Sequence, residues 1–592
     1  MSRTDSRPIR IANCSGFYGD RLAAAHEMVE GGPIDVLTGD YLAELTMSIL
    51  WKARAKDPSA GYARTFVTQL EQVMGTCLDR GIRVVSNAGG LNPAGLAERL
   101  RASAQRLGLA PKIAYITGDD VLDRIDAGPR TVTANAYLGG WGIAEALAEG
   151  ADIVVCPRVT DASLVVGPAA WWHGWRRTDH DRIAGAIVAG HVIECGPQAT
   201  GGNYPFLGEP PRRQRPGRTD DFALETRRPG FPIAEVAADG SSVITKHRGT
   251  GGTVSIGTVT AQLLYEIGGP AYANPDAVAC FDTIRIAPAG PDRVRIQGVR
   301  GLPPPPTLKV GVNELGGYRN TMTMVLTGLD IEAKAAHAER MLFDALGGRD
   351  RFAEVDVRLI RYDRPDAPTN EQAGAHLRIT VKDPDPTRVG RAFSGAVVEL
   401  ALAGYPGFHT TTPPTAETAY AVFRAGWIPA GEVAHTVVLP DGTARPIPPP
   451  ELTAALPRGI PNPMPPPRPD PPSRPARPPA PTRRAPLGLV CGARSGDKGG
   501  DANLGLWTRD DASYRWLRVH LSVDRLRELL PEAADLPIER HVFDNLRAVN
   551  FVITGLLGEG VGSSTRPDPQ AKGLGEYVRS RHTDIPTTLL DG

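Results

Sequence analysis

The sequence predicts an α/β protein: a body with a mainly parallel, doubly wound sheet, an α+β subdomain, and a ferredoxin-like α+β domain at the C-terminal end. Strand and helix patterns alternate from residue 9 to residue 161, and the strand segments are continuously apolar. Continuous apolar strands are typical of a parallel sheet that helices cover on both faces. An open doubly wound sheet is the first interpretation, and a partial barrel is the alternative.

Helix-forming segments separate the five predicted strands of the body. An apolar stripe at helical spacing follows the first strand and ends at Gly31, Gly32 and Pro33. Longer helical patterns end at Gly81 and Gly108, and glycine is the residue that most often ends a helix. The strands themselves are predicted at residues 9–17, 34–44, 82–93, 111–121 and 151–163.

The predicted strands end in small or polar residues, at the place where ligands bind in α/β proteins. Parallel strands put all their carboxyl ends on one edge of the sheet, and binding sites form just beyond that edge. A single Gly-Asp after a strand is usually a turn and helix cap, but its recurrence indicates a site. We therefore expect one pocket with the catalytic candidates Asp40, Asn87, Asp119 and Asp161, and the substrate-binding candidates Ser15, Gly16, Gly89 and Gly90.

The chain changes character at residue 233, where shorter strand patterns replace the alternation of strands and helices. A tetraproline at residues 303–306 predicts a rigid turn, and residues 331–348 carry a clear helical pattern. We assign residues 8–232 to the α/β body and residues 233–450 to an α+β subdomain of that body.

A proline-rich linker is expected at residues 451–486. Half of the residues from Pro461 to Pro486 are proline, which fixes the backbone φ angle and removes the amide donor. Such a segment cannot join a helix interior or a sheet ladder, so we expect an extended spacer in the polyproline II conformation. A proline-rich ligand for an aromatic groove is the alternative interpretation.

Residues 487–592 are the predicted C-terminal domain, and their strand and helix patterns favour a ferredoxin-like sandwich. A glycine-rich, charged segment follows its first strand. Glycines let successive backbone N–H groups turn toward one anion, and a lysine adds a positive charge. We expect an anion site here rather than a solvated turn, formed by Arg494, Ser495, Asp497, Lys498, Gly499, Asp501 and Asn503.

Composition and motifs exclude several classes of function. The 592 residues carry no net charge, and no long basic run lies outside the linker, which argues against a nucleic-acid or anionic-membrane surface. No apolar run reaches the roughly 20 residues that cross a bilayer, and no leader pattern precedes the first strand. Phosphate-loop and zinc-site spacings are absent, so we expect neither a metal nor a nucleotide cofactor. We expect a cytoplasmic homo-oligomer whose six cysteines are reduced.

Five motifs together carry a resemblance to a known family. They are TGDYLAE, SNAGGLNP, RVTDAS, YPGFHTTTPP and RSGDKGGDANLG, at residues 38–44, 86–93, 158–163, 405–414 and 494–505. In this combination the chain resembles the acyclic terpene utilisation (AtuA-like) family, over both the long N-terminal region and the ferredoxin-like domain. The resemblance implies a part in the breakdown of citronellol- and geraniol-type terpenes, whose intermediates are CoA thioesters of methyl-branched acids. It transfers no catalytic residue.

Two classes of function follow. The first is a catabolic enzyme, a lyase or hydratase that acts on a methyl-branched acyl-CoA or related carboxylic acid by hydration, dehydration or C–C cleavage beside a carbonyl. Both chemistries need a proton-transfer group and donors for an enolate-like oxygen, which strand-end carboxylates and the glycine-rich segment would supply. The second is a non-catalytic subunit that binds or channels intermediates, which a tethered C-terminal domain favours. CoA enters only as part of the substrate.

Overall fold

The computed structural model describes residues 7–206, 228–455 and 481–590. In the first of these ranges strands and helices alternate, except that a sixth strand, which the sequence analysis does not predict, follows the fourth strand directly. The elements are β1 (Ile9–Asn13), α1 (Ala24–Glu30), β2 (Val36–Gly39), α2 (Glu44–Lys56), α3 (Arg64–Arg80), β3 (Arg83–Ser86), α4 (Pro93–Arg106), β4 (Ile113–Thr117), β5 (Thr131–Ala136), α5 (Trp141–Ala148), β6 (Ile153–Val155), α6 (Ser163–His173) and α7 (His180–Ile193).

Five of these strands form the parallel centre of a sheet, in the order β1-β2-β3-β6-β4. Helices cover both faces, which explains why the strands are apolar throughout. Successive side chains of a strand point to opposite faces: on β2, Val36 packs with α5, α6 and α7, whereas Leu37 packs with α1, α3 and α4. The carboxyl ends of all five strands therefore lie on one edge, called the strand-end edge below.

Residues 228–455 extend this sheet and build a second one. The elements are β7 (Pro232–Val236), β8 (Ser242–Lys246), α8 (Ile256–Leu263), β9 (Ala271–Ala273), β10 (Val278–Cys280), β11 (Arg285–Pro288), β12 (Val294–Gln297), β13 (Arg300–Leu302), β14 (Thr307–Thr327), α9 (Ile331–Leu346), β15 (Glu354–Arg361), β16 (Gly374–Asp383), α10 (Pro386–Val389), α11 (Arg391–Ala403), β17 (His409–Thr410), β18 (Thr418–Pro429), β19 (Thr436–Val438) and β20 (Ala444–Pro446). Among the helices of the described ranges, none combines the length and apolar character needed to cross a bilayer.

The first sheet is mixed rather than mainly parallel. β7, β8, β12 and β11 extend it from β1, and β19 and β20 extend it from β4, all in antiparallel pairs, to give eleven strands. A short turn such as the one between β7 and β8 joins only antiparallel neighbours, because a parallel neighbour needs a crossover of about a dozen residues or more. The regions expected as 8–232 and 233–450 thus share one sheet, and their boundary stays a prediction.

The second sheet is built on β14, a strand of 21 residues. One half of β14 pairs with β16, which pairs with β15, and α9 and α11 pack against this half. The other half pairs with β18 and with β5 of the first range. In this half Lys309 of β14 lies opposite Trp427 of β18. The second sheet therefore brings both residues to the side of the molecule that carries the strand-end edge.

Residues 481–590 form a domain with a four-stranded antiparallel sheet and a separate strand pair. The elements are β21 (Thr482–Pro486), β22 (Cys491–Lys498), β23 (Asp501–Thr508), α12 (Asp511–His520), α13 (Val523–Leu529), β24 (Ile538–Phe543), β25 (Ala548–Ile553), α14 (Leu574–Ser580), β26 (His582–Pro586) and α15 (Thr587–Leu590). The sheet order is β22-β23-β25-β24. α12 and α13 follow β23, and α14 follows β25. The domain is therefore a circular permutation of the ferredoxin-like fold, in which β22 takes the place of that fold's last strand.

The C-terminal end of the predicted linker joins a sheet, which corrects the expectation of a spacer without ladder bonds. β21 pairs antiparallel with β26 from Thr482 to Pro486. Each of the residues before Pro486 in this strand keeps its amide donor, and an edge strand needs donors on one side only. Residues 456–480 of the predicted linker lie outside the described residues.

The glycine-rich segment expected as a loop is a β-hairpin. Its residues lie in β22 and β23, which a two-residue turn at Gly499 and Gly500 connects. Gly496 is required by close packing and not by a flexible loop. A Cβ atom there would come within 2.8 Å of the Tyr265 ring. Glycine is needed where two chain segments approach this closely, and composition alone does not distinguish such a contact from a loop.

The C-terminal domain packs directly on the body. The Glu266 amide donates a hydrogen bond to Asn503 Oδ1 at 2.8 Å, and Asn550 Nδ2 donates to the Gly268 carbonyl at 2.7 Å. Trp507 of β23 is buried in the same apolar core as α5, α6 and α7 of the body. The tip of the β22–β23 hairpin is thereby held against the strand-end edge.

Candidate functional site

A cavity of about 750 Å³ opens where the strand-end edge of the body meets the C-terminal domain. Its lining includes the loops after β1, β2 and β6, the segments after α7 and α8, and the tip of the β22–β23 hairpin. The start of β14, Trp427 of β18 and Lys572 before α14 also contribute. Its volume lies in the range of pockets that hold small-molecule ligands. Apolar surface comes from Leu42, Tyr137, Pro305, Leu308 and Trp427.

Asp40 and Asp161 reach this cavity from the ends of β2 and β6. Asn87 follows β3, which lies between these strands, and donates from Nδ2 to Asp40 Oδ1 at 2.6 Å. Arg158 Nη2 donates to Asp161 Oδ1 at 3.0 Å, and Arg158 Nη1 donates to the Leu42 carbonyl at 2.7 Å. The structure thus brings three of the four catalytic candidates into one cluster and adds an arginine to it.

The surroundings of Asp40 favour its protonated form. Only 6 % of the residue is exposed. Burial, together with the negative charge of Asp161, raises the pKa of Asp40 well above its ordinary value, and the charge of Arg158 and the Asn87 hydrogen bond do not outweigh this effect. A protonated carboxyl group can give a proton to a ligand oxygen, whereas the ion-paired carboxylate of Asp161 can accept one.

Asp119 does not line the cavity, although the sequence places it among the catalytic candidates. Its Oδ2 atom accepts hydrogen bonds from Asn135 Nδ2 at 2.8 Å and from the Arg158 amide at 3.2 Å. Burial raises the pKa of Asp119 to about 7. Asp119 therefore positions the backbone that carries Arg158 and does not face a ligand.

Of the four small residues expected to bind substrate, only Gly16 lines the cavity. Ser15 is fully buried. Gly89 and Gly90 form the turn after β3, where a Cβ atom on Gly89 would lie 2.5 Å from the Cys156 carbonyl oxygen. These two glycines are needed because neighbouring strand ends pack closely. They contact other protein atoms and do not face the cavity.

Two residues of the β22–β23 hairpin, Asp497 and Lys498, line the cavity. Lys498 is an exposed residue at the end of β22, and it lines the cavity. Loss of hydration within the cavity and the charge of Lys309 lower the pKa of Lys498. Burial and the charge of Glu266 raise the pKa of Asp497 to about 6.

The other five hairpin candidates hold the hairpin in place. Arg494 and Asn503 form hydrogen bonds to the body, and Ser495 and Asp501 form them within the C-terminal domain. Gly499 has a φ angle of 63°, which the turn requires and which glycine adopts without strain. Of the seven residues expected to bind an anion, the lysine is thus the one whose positive charge reaches the cavity.

The segment at the end of α7 supplies a buried pair that was not among the candidates, His191 and Glu194. The two residues are 1 % and 8 % exposed, and His191 Nδ1 lies 3.4 Å from Glu194 Oε1. Burial and the charge of Lys498 lower the pKa of His191 to about 4. Burial and the charge of Asp161 raise the pKa of Glu194 well above its ordinary value. Both shifts favour the neutral form.

Cys195, next to this pair, also lines the cavity. Burial and the charge of Glu194 raise the pKa of its thiol well above the ordinary value. A thiolate is the nucleophilic form of cysteine, and this environment disfavours it. Cys195 is therefore part of the wall and does not have the surroundings of a nucleophile.

Two lysines in ion pairs complete the charged lining. Lys309 Nζ lies 3.4 Å from Glu44 Oε1, and Lys572 Nζ lies 3.0 Å from Glu266 Oε1 and 3.4 Å from Asp497 Oδ1. Burial acts to raise the pKa of Glu266, but the charge of Lys572 lowers it below its ordinary value. Among the lysine and arginine side chains of the lining, Lys498 is the one that has no carboxylate partner within the described residues.

The lining combines acids whose neutral form burial favours, several ion-paired carboxylates and one ammonium group, that of Lys498, without a carboxylate partner among the described residues. Such a set can give and take protons at neighbouring positions and can stabilise negative charge on an oxygen atom. In the part of the chain that the structure describes, no group of three or more His, Cys, Asp and Glu side chains is arranged to hold a metal ion.

Two family models match the chain. The model described as acyclic terpene utilisation family protein AtuA matches residues 9–439, and the AtuA ferredoxin-like domain matches residues 485–584. No curated protein and no solved structure matches the chain. The two matches together include every residue that lines the cavity. The resemblance carried by the five motifs is confirmed, and the chain belongs to the acyclic terpene utilisation (AtuA) family.

Proposed function

We propose that the protein is a catabolic enzyme that acts on a methyl-branched acyl-CoA or a related carboxylic acid, by hydration, dehydration or C–C cleavage beside the carbonyl. The observation that carries this proposal is the juxtaposition of Asp40 and Asp161 in a cavity that also holds the unpaired ammonium group of Lys498. Membership of the acyclic terpene utilisation family supports the choice of substrate class. A cytoplasmic location and a homo-oligomeric state stay predictions.

These reactions need one group that gives a proton and one that takes it. In dehydration the base removes a proton from C2, and the 3-hydroxyl leaves as water with a proton from the acid, so that a C2–C3 double bond forms. In C–C cleavage the base removes the proton of the 3-hydroxyl, the C2–C3 bond breaks, and C3 becomes a ketone while C2 takes a proton from the acid. Hydration is the reverse of dehydration. In each case negative charge passes to the thioester oxygen.

We assign Asp161 as the proton acceptor and Asp40 as the proton donor. Asp161 is ion-paired with Arg158, and 30 % of its side chain is exposed, so a ligand in the cavity can reach it. Asn87 orients Asp40 through its 2.6 Å hydrogen bond. The ammonium group of Lys498 attracts the negative charge of the ligand, and the apolar part of the lining accommodates the branched chain.

Asp40→Asn and Asp161→Asn test these assignments. The probes are 3-methylcrotonyl-CoA, which reports hydration, and 3-hydroxy-3-methylbutyryl-CoA, which reports dehydration or cleavage to acetone and acetyl-CoA. We expect each variant to lower kcat by roughly 10²–10⁴-fold, because the loss of a general acid or base has an effect of that size. Chromatography of the CoA esters measures the products, and thermal unfolding shows that the fold is kept.

Glu399→Gln, on the exposed surface of α11, is the control and should leave kcat unchanged. The alternative function, a subunit that binds or channels intermediates without catalysis, makes a different prediction for the same samples. It predicts that the wild-type protein binds both thioesters and converts neither. Unchanged turnover in both aspartate variants would remove Asp40 and Asp161 from the mechanism.

A further inference from the structure

The carboxyl group of Glu194 has no part in the proton transfers assigned above. It lines the cavity, is 8 % exposed, and has an Oε2 atom without a hydrogen-bond partner among the described residues. Buried polar atoms in proteins are almost always hydrogen-bonded, and an exception calls for an explanation. The missing partner of a buried carboxyl oxygen at the wall of a cavity is explained if a bound ligand atom forms the hydrogen bond.

The backbone that carries Glu194 is fixed by hydrogen bonds. Asn13 Nδ2 donates hydrogen bonds to the carbonyl oxygens of Ile193 and Glu194 at 2.6 and 2.8 Å. His191 lies one turn earlier in α7, and its ring packs against that of Tyr272 with 5.1 Å between centroids. A side chain with a fixed backbone and a packed neighbouring side chain has fewer positions open to it, which favours one binding geometry.

The position of Glu194 favours a carboxylic acid over a carboxylate. The residue caps the C-terminal end of α7, where the helix dipole is negative and an added negative charge is unfavourable. Burial and the charges of Asp161 and Glu266 raise its pKa further from the ordinary value. A carboxylic acid has an O–H donor that a carboxylate lacks.

Lys498 reaches the same part of the cavity from the C-terminal domain. Lys498 Nζ lies 6.0 Å from the centroid of the Tyr272 ring, which packs on the ring of His191, and both Tyr272 and Glu194 line the cavity with it. The hairpin that carries Lys498 is clamped at its tip, because a Cβ atom on Gly500 would lie 2.1 Å from the Gly558 carbonyl oxygen. Two fixed donors, an O–H and an N–H, therefore face one region of the cavity.

We propose that Glu194 and Lys498 form the oxyanion site of this cavity, in which the Glu194 O–H and the Lys498 ammonium both donate hydrogen bonds to the thioester carbonyl oxygen. This inference rests on the proposed function, and it names the two groups that stabilise the negative charge on the thioester oxygen. When the C2–H bond breaks, the proton goes to the base and the electron pair comes to rest on that oxygen as an enolate. Donors fixed in advance around such an oxygen stabilise it more in the transition state than in the ground state.

Acetoacetyl-CoA tests the oxyanion site without turnover, because its enolate absorbs at a longer wavelength than its keto form. We expect the bound thioester to show the enolate band at a pH where the free thioester shows little of it. Glu194→Ala and Lys498→Ala should each lower the band on the order of 10-fold or more, since each removes a donor. Glu194→Gln should keep most of the band, because its amide N–H still donates. Glu399→Gln, an exposed residue of α11 that does not line the cavity, should match the wild type.

Other results overturn the inference. Equal loss in Glu194→Gln and Glu194→Ala would show that the carboxylate, not the O–H, acts on the ligand. A full band in Glu194→Ala, or no band in the wild type, would show that Glu194 does not hold the oxygen. If Glu194→Ala does not fold, Glu194→Met is the second apolar variant, with circular dichroism as the check. Turnover of 3-methylcrotonyl-CoA by the wild type reports separately on the proposed function, so the two failures are distinguishable.

Discussion

The two walls of the cavity differ in how their charges are balanced. On the body wall Arg158 is paired with Asp161, and burial raises the pKa of Asp40 and so favours its protonated form. On the wall from the C-terminal domain Lys572 is paired across the interface with Glu266, but Lys498 has no carboxylate partner among the described residues. Under the proposed function, this difference corresponds to a division of work in which the body transfers protons and the C-terminal domain supplies positive charge. On this view neither wall is an active site alone.

Removal of the C-terminal domain is the strongest way to break this division. Residues 1–460 alone should lose turnover of the two probes by about 10²-fold or more, because the loss of one oxyanion donor has an effect of that size and the open cavity admits water. Addition of separately produced residues 485–592 should restore part of the activity. A fully active 1–460 fragment would show that the body is sufficient.

Lys498→Ala removes the unpaired charge and leaves the body wall intact. We expect it to weaken binding of 3-methylcrotonyl-CoA by about 1–3 kcal/mol, the effect of losing a charge-assisted hydrogen bond. Calorimetry measures the dissociation constant. The matched control is Lys56→Ala, an exposed lysine at the end of α2, which should bind as the wild type does. Equal affinity in Lys498→Ala would place the ligand's negative charge elsewhere.

Asp119→Asn tests, with a smaller effect, whether burial behind the body wall raises the pKa of a carboxyl group. Burial raises the pKa of Asp119 to about 7, so the folded state binds this proton more tightly than the unfolded state, where the pKa is about 3.9. The free energy of unfolding of the wild type therefore falls as pH rises from about 4 to about 7. The asparagine does not titrate, and its amide oxygen can accept the same hydrogen bonds from Asn135 and Arg158.

Urea unfolding at pH 5 and pH 8 measures the difference. We expect Asp119→Asn to gain about 2 kcal/mol of stability relative to the wild type between these two pH values. A difference between the two proteins that stays the same at both pH values would show that Asp119 is ionised in the folded protein throughout this range.

The strand-end half of the cavity could be predicted from the sequence because it depends on local patterns. A continuous apolar run indicates a buried parallel strand, and a polar residue after it lies at the edge of the sheet. Asp40 and Asp161 were identified in this way. The antiparallel strands on both sides of the parallel centre could not be predicted from local patterns, because the pairing of β7 with β1 joins segments more than 200 residues apart.

The other half of the cavity depends on contacts that no local pattern records. Glu194 follows an apolar helix and resembles an ordinary cap until the C-terminal domain closes over it. A signal was present in His191, a polar residue in the last turn of a helix that is otherwise apolar over several turns. Lys498 was identified from a segment interpreted as a loop, whereas its glycines allow a hairpin to pack closely against the body.

A crystal structure of the full chain with 3-methylcrotonyl-CoA tests the division between the two walls most directly. We expect the acyl group between Asp40 and Asp161 on the body side and the C-terminal domain on the other. The thioester carbonyl oxygen should lie within about 3 Å of Lys498 Nζ and a Glu194 carboxyl oxygen, the distance of a charge-assisted hydrogen bond. A thioester whose carbonyl lies outside this cavity, or that contacts only one of the two walls, would contradict the proposal.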